Sequence, residues 1–103
     1  MGGGKRVYSG RALVAFAIPT EADSRVGVTV SRQVKGAVDR NRARRRLREV
    51  ARKRLFGPDS PLRRVGIRYD VVLIARPAAL DLPFAELEAE TEQAALRLAN
   101  LNQ

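Results

Sequence analysis

Arg40-Asn41-Arg42-Ala43-Arg44-Arg45-Arg46-Leu47-Arg48-Glu49-Val50-Ala51-Arg52-Lys53-Arg54 is the stretch on which the fold of this chain turns. Nine of its fifteen residues are cationic, one is acidic, and none is Gly or Pro. Most are good helix formers. Asp39 stands just before it, where a short acceptor side chain can cap free N–H groups and favour the positive end of the helix dipole. The stretch predicts a helix from about Arg40 to about Phe56. At about 100° per residue, Ala43, Leu47, Val50, Ala51 and Leu55 form one apolar arc. Asn41, Arg44, Arg48 and Arg52 form one flank. Arg42, Arg46, Glu49 and Lys53 form the other, with Arg45 between them. Like charges at Arg44–Arg48 and Arg48–Arg52 repel at i,i+4 spacing by a few tenths of a kcal/mol each. A solvated charged face normally mixes signs, and this one does not. The helix therefore reads as one stripe to bury and one surface for a polyanion.

The rest of the composition narrows the choice. At 103 residues the chain is one domain by length, able to bury a single core. It has no Cys and no His, which excludes disulfides, thiol nucleophiles, Cys/His zinc sites and imidazole acid–base chemistry. The absence of disulfides fits a reducing compartment. No apolar run approaches the roughly 20 residues of a membrane span, and there is no signal-peptide core. The net charge is +9. Residues 25–54 hold twelve Lys/Arg against two Asp/Glu, and the remainder holds eight against nine. One segment carries the whole imbalance, which points to a defined RNA or DNA surface rather than a diffuse basic tail.

Around the basic helix the chain alternates short strands and turns. Met1 to Gly4 is a glycine run with no means of ordering itself. Lys5 to Gly10 reads as a short strand ending in a turn at Ser9-Gly10. Ala12 to Ile18 is apolar throughout and stops at Pro19, with Val14, Phe16 and Ile18 on one face and Leu13, Ala15 and Ala17 on the other. Thr20 to Ser24 is a polar connection. Arg25 to Ser31 alternates, with Val26, Val28 and Val30 on one face. These two runs read as an antiparallel pair. Arg32 to Val38 is a loop containing Gly36. Gly57-Pro58-Asp59-Ser60-Pro61 ends the basic helix. Ile67 to Ala75, apolar on both faces at Val71-Val72-Leu73-Ile74, reads as a central strand covered on both sides. A final helix runs from about Pro83 to Leu101, with Phe84, Leu87, Ala94, Ala95, Leu98 and Leu101 inward. Glu86, Glu88, Glu90 and Glu92 in its early turns form the one carboxylate cluster. No histidine or second motif supports a metal or acid–base site there, so they read as the solvated, dipole-favoured start of a helix.

Arg25-Val26-Gly27-Val28-Thr29-Val30-Ser31, a basic loop, Gly36-Ala37-Val38, and Arg40-Asn41-Arg42 with Arg44, Arg45 and Arg48 together resemble the protein subunit of bacterial ribonuclease P. Tyr69-Asp70-Val71-Val72-Leu73-Ile74-Ala75-Arg76-Pro77 resembles that family's next strand, and the likeness spans about residues 5–100 in order. The resemblance implies an α/β (α+β) sandwich: a small mixed sheet with two helices and a left-handed β–α–β crossover made by the basic helix. It implies a ribonucleoprotein endonuclease that removes 5′ leaders from precursor tRNA in the cytoplasm. Its RNA subunit holds the catalytic Mg²⁺ ions, and its protein subunit holds no metal. The implied partners are ribonuclease P RNA and the precursor tRNA leader, with no membrane and no required protein partner. The family normally begins with a further helix whose aromatics line the leader cleft. Here only Met1-Gly2-Gly3-Gly4 precedes the first strand, so that helix is expected to be missing. The family's Gly-Asn before Ala-Val is Lys35-Gly36, and a commonly basic loop position is Gln33.

The candidate RNA-binding residues are Arg32, Lys35, Arg40, Asn41, Arg42, Arg44, Arg45, Arg46, Arg48 and Arg52. A helix packed along its apolar arc cannot be wrapped, so its flanks should meet different partners. Asn41, Arg44 and Arg48 are expected to line a cleft with Thr29, and with Leu13 and Ala15 exposed on the sheet. By resemblance the leader lies there. Arg42, Arg45 and Arg46 are expected to dock on the catalytic RNA, and Arg40 could serve either. The competing readings are a generic RNA-binding or ribosomal structural protein, a basic amphipathic helix for anionic membranes, and, last, a self-sufficient nuclease, for which no residue could activate a water.

Overall fold

The alternation in Leu13-Val14-Ala15-Phe16-Ala17-Ile18-Pro19 resolves into a strand that buries one parity completely: Leu13, Ala15 and Ala17 are sealed, and Val14, Phe16 and Ile18 are half-exposed. The structure is a computed structural model and describes residues 5–19, 26–55 and 69–100. The elements in chain order are β1 (Lys5–Ser9), β2 (Leu13–Pro19), β3 (Val26–Val30), α1 (Ala37–Arg54), β4 (Tyr69–Ala75), a 3₁₀ turn (Pro77–Leu80) and α2 (Phe84–Asn100). The expectations for Met1–Gly4, Thr20–Ser24, Arg25, Phe56, Gly57–Pro61, Ile67 and Leu101 lie outside the described residues.

The four strands form one mixed sheet in the order β1-β2-β4-β3. β2 pairs antiparallel with β1 and with β4, and β3 pairs parallel with β4. The expected antiparallel pairing of β2 with β3 is therefore wrong. β4 lies between them, and such a non-local insertion leaves no mark on the local pattern of either strand. The β3–β4 pair is parallel and joined through α1, as a crossover requires.

Register places Leu13, Ala15 and Ala17 beside Ala75, Leu73 and Val71, and these beside Val30, Val28 and Val26. This face meets the buried arc of α1 (Ala43, Leu47, Val50, Ala51) and the inner face of α2 (Leu87, Thr91, Ala94, Ala95, Leu98, Ala99). Alanines on both sides of the contact let helix and sheet backbones approach closely. The other face carries Val14, Phe16, Ile18, Val72 and Ile74, all half-exposed. Among the described residues β4 is thus sealed on one face and only half-buried on the other, rather than covered on both. Leu13 and Ala15 are fully buried, which corrects their expected exposure.

Both helices differ from expectation at their ends. α1 begins at Ala37, a turn earlier than predicted. Gly36, at φ 85°, redirects the chain at the N-cap with no side-chain cap, so Asp39 sits inside the first turn instead of preceding it. In α2, Phe84 is exposed rather than inward, and Thr91 takes a core position because its hydroxyl donates to the Leu87 carbonyl at 2.8 Å. Glu90 fastens the β1–β2 turn to α2. Its carboxylate accepts from the Tyr8 hydroxyl at 3.2 Å and from the Ala12 N–H at 3.0 Å. A Cβ on Gly10 would overlap that carboxylate and the Tyr8 hydroxyl.

Candidate nucleic-acid interface

α1 presents its charge unevenly. Asn41, Arg42, Arg45, Arg48, Arg52 and Lys53 are exposed, while Arg40, Arg44, Arg46 and Arg54 are partly buried. Arg44 donates to the Asn41 side-chain oxygen at 3.1 Å, one turn back along the same flank. Further on, Arg48 and Arg52 stand over β3. With Val26, Gly27, Val28 and Ala51 they line a groove of about 480 Å³. Its floor is apolar and its rim carries two guanidinium groups, so it suits an extended anionic chain better than a neutral ligand.

Three expected cleft residues sit elsewhere. Leu13 and Ala15 are under the helices. Thr29 is exposed, but it shares the open sheet face with Ile74, its register partner. The groove takes Val26 and Val28 from the helix side of β3 and Gly27 from the open side. The sequence contained a signal for the valines, since Val26, Val28 and Val30 alternate onto one face, but nothing said that α1 would stop short of covering them.

The opposite flank of α1 is largely spent on the fold. Arg46 donates to the Leu80 carbonyl at 3.4 Å and to the Leu82 carbonyl, and its guanidinium lies over the Phe84 ring. Lys53 and Arg54 pair with Glu88 at 3.3 and 2.8 Å. Hydrogen bonds from Arg54, then Lys53, hold the Glu88 carboxyl below its ordinary pKa. Of the residues expected to dock on a partner RNA, Arg46 is thus engaged within the fold, whereas Arg42 and Arg45 are exposed. Arg40 is also turned inward, its guanidinium bonding to the carbonyls of Val30, at the end of β3, and of Ser31 and Val34 in the Ser31–Gly36 loop. That loop leaves Arg32 and Lys35 exposed and anchors Val34 in the core.

Lys53 apart, the exposed cations of α1 and of the loop before it thus fall on two patches: Arg32, Lys35 and the Asn41-to-Arg52 flank beside β3, and Arg42 with Arg45 on the crest. Of the glutamates at the start of α2, Glu88 and Glu90 are engaged in the fold, and Glu86 and Glu92 are exposed. No three acidic side chains among the described residues are grouped to hold a metal ion. Nor is any described helix long and apolar enough to cross a membrane. The arrangement can grip phosphates and orient a strand.

A family model described as Ribonuclease P matches residues 2–99. The ribonuclease P protein component of Symbiobacterium thermophilum is 43% identical over 90 residues, covering 85% of this chain and 72% of that protein. That of Dehalococcoides mccartyi is 42% identical over 84 residues, covering 79% of this chain and 61% of that protein. The solved ribonuclease P protein of Thermotoga maritima superposes with a TM-score of 0.69 at 22% identity, covering 91% of this chain and 83% of that one, a likeness of fold. With the sheet order, the crossover helix and its basic face in place, these matches settle the lineage: the chain belongs to the family of bacterial ribonuclease P protein components.

Proposed function

We propose that this chain is the RNA-binding subunit of a ribonuclease P ribonucleoprotein and assists endonucleolytic removal of 5′ leaders from precursor tRNA. The observation that carries this reading is the basic surface of α1 beside a groove with an apolar floor, rimmed by Arg48 and Arg52. Chemistry is assigned to the RNA partner, which holds the catalytic Mg²⁺. The protein binds and orients: Asn41, Arg44, Arg48 and Arg52 hold the single-stranded leader along β3, and Arg42 and Arg45 dock on ribonuclease P RNA. No protein partner or membrane is needed, and the site of action is the cytoplasm, where precursor tRNA is made.

The test is reconstitution with a bacterial ribonuclease P RNA and precursor tRNA at limiting Mg²⁺. The protein is expected to stimulate cleavage, and protein alone, treated beforehand with nuclease, is expected to leave the substrate intact. A generic RNA-binding or ribosomal protein would bind without stimulating cleavage.

A further inference from the structure

Arg40 belongs to the most basic run of the chain, yet its side chain runs back under the loop that precedes α1. One guanidinium nitrogen donates to the Ser31 carbonyl at 2.9 Å and to the Val34 carbonyl at 3.2 Å, and the other donates to the Val30 carbonyl at 3.2 Å. Three of its five N–H donors are therefore taken by backbone. Its own N–H closes the first helical turn on Gly36 at 3.0 Å. Main chain and side chain of this one residue thus fix both ends of the loop. The Val30 and Ser31 carbonyls stand where β3 ends and the Val34 carbonyl lies in the loop beyond, and partly buried carbonyls need donors. The loop carries Arg32 and Lys35, both exposed, on either side of buried Val34.

We infer that Arg40 is a positioning residue for RNA binding: it holds the β3–α1 loop so that Arg32 and Lys35 stand beside the start of the basic helix, and takes no phosphate itself. This rests on the RNA-binding reading above. A phosphate contact needs a free guanidinium edge, and the geometry commits this one to the loop. Charge alone does not reproduce the clamp, because a lysine ammonium lacks the planar fork that reaches three carbonyls from one stem.

The experiment measures affinity for a short single-stranded oligoribonucleotide by fluorescence anisotropy. The proteins are the wild type, Arg40→Gln, Arg40→Lys, the double variant Arg32→Ala/Lys35→Ala, that double variant combined with Arg40→Gln, and Arg44→Ala. Thermal melts accompany each. Arg40→Gln and Arg40→Lys are expected to weaken binding alike, by about tenfold, the loss of two charge-assisted contacts in part. Adding Arg32→Ala/Lys35→Ala to Arg40→Gln is expected to cost less than about twofold more, since coupled residues are not additive. Restoration of affinity by Arg40→Lys, or losses that multiply, would make Arg40 a direct phosphate ligand and overturn the proposal. So would unchanged affinity in Arg40→Gln. If Arg44→Ala weakens binding while Arg32→Ala/Lys35→Ala does not, the loop proposal fails and the RNA-binding reading stands. If none of these variants weakens binding, both fall. Should Arg40→Gln not fold, the wild type decides: its Arg40 guanidinium NMR signals are expected to hold still on RNA addition while those of Arg44 move. Equal movement of both would overturn the proposal.

Discussion

The guanidinium of Arg46 lies 4.7 Å from the centroid of the Phe84 ring, bridging the basic helix to the first residue of α2. The same guanidinium caps the carbonyls of Leu80 and Leu82 that lead into that helix. Arg46→Ala should therefore cost stability, about 1–3 kcal/mol from the lost cation–π contact and charge-assisted hydrogen bonds. Arg45→Ala, one residue away and exposed, should leave the melting temperature unchanged and weaken binding to ribonuclease P RNA. Melting curves and binding isotherms for the pair check this. Equal melting temperatures for the two variants would remove the structural role assigned to Arg46.

Arg48 overhangs the β3 groove, so its loss should be felt by a leader and not by a tRNA body. Arg48→Ala is expected to weaken precursor tRNA binding by on the order of 1 kcal/mol, the value of one partly exposed charge-assisted contact, with mature tRNA nearly unaffected. Parallel titrations of both tRNAs with the reconstituted particle measure the difference. Equal losses would mean that the groove is not the leader's path.

Binding through guanidinium–phosphate contacts releases counterions. If about six phosphates are neutralised, RNA affinity should drop roughly 10³-fold between 50 and 200 mM monovalent salt. A log–log salt titration gives the slope, and a shallow one would count against the basic face as the interface.

Burial first, and then the charge of Glu90, push the Tyr8 hydroxyl above its ordinary 10.0. A raised pKa in the folded state stabilises fully below the unfolded value and loses that contribution as pH rises through the folded value. The β1–β2 turn should therefore loosen above about pH 10, where the unfolded chain gives up the proton first. Tyr8→Phe keeps the ring and should flatten the alkaline loss of stability relative to wild type, as followed by denaturant melts.

Glu88 has the opposite sign. Its carboxyl is held below 4.5 by Arg54 and Lys53, so the α1–α2 pairing contributes above that value and fades as pH falls through the lowered one. Glu88→Gln should melt nearly independently of pH in this window, where wild type loses stability. The difference should shrink in high salt, because the pair is exposed enough to be screened.

The basic helix, the central position of β4 and the hairpin turn at Gly10 were legible because each rests on local pattern: a 3.6-residue stripe, an unbroken apolar run, a Ser-Gly pair. The inward turn of Arg40 was legible too, and was missed. Arg40, Ala43, Leu47 and Ala51 recur at helical spacing, so Arg40 falls on the buried stripe, where charge counting placed it among the RNA-binding residues. Arg54 follows Val50 and Leu47 on the same side for the same reason, and ends against Glu88. The exposure of Leu13 and Ala15 could not be judged from β2 alone. Which parity of a strand is buried depends on where the helices land, and small residues are chosen there because backbones meet closely. Likewise β2 and β3 each carry a good strand signal, but which strands become neighbours is decided by a segment that comes after α1.

That sheet order has a kinetic consequence. β2 finds β1 at once across a tight turn, but its other edge, from Leu13 to Pro19, must wait for Ala75 to Tyr69. β3 waits for the same strand. As the chain leaves the ribosome, the basic helix therefore emerges while only the β1–β2 hairpin is paired, before β4 completes the sheet that receives its apolar arc. Such long-range closure is slow compared with helix formation. During that interval a nascent cationic helix stands among ribosomal and transfer RNA, and the polyanion it is built to meet can act on it before folding is finished.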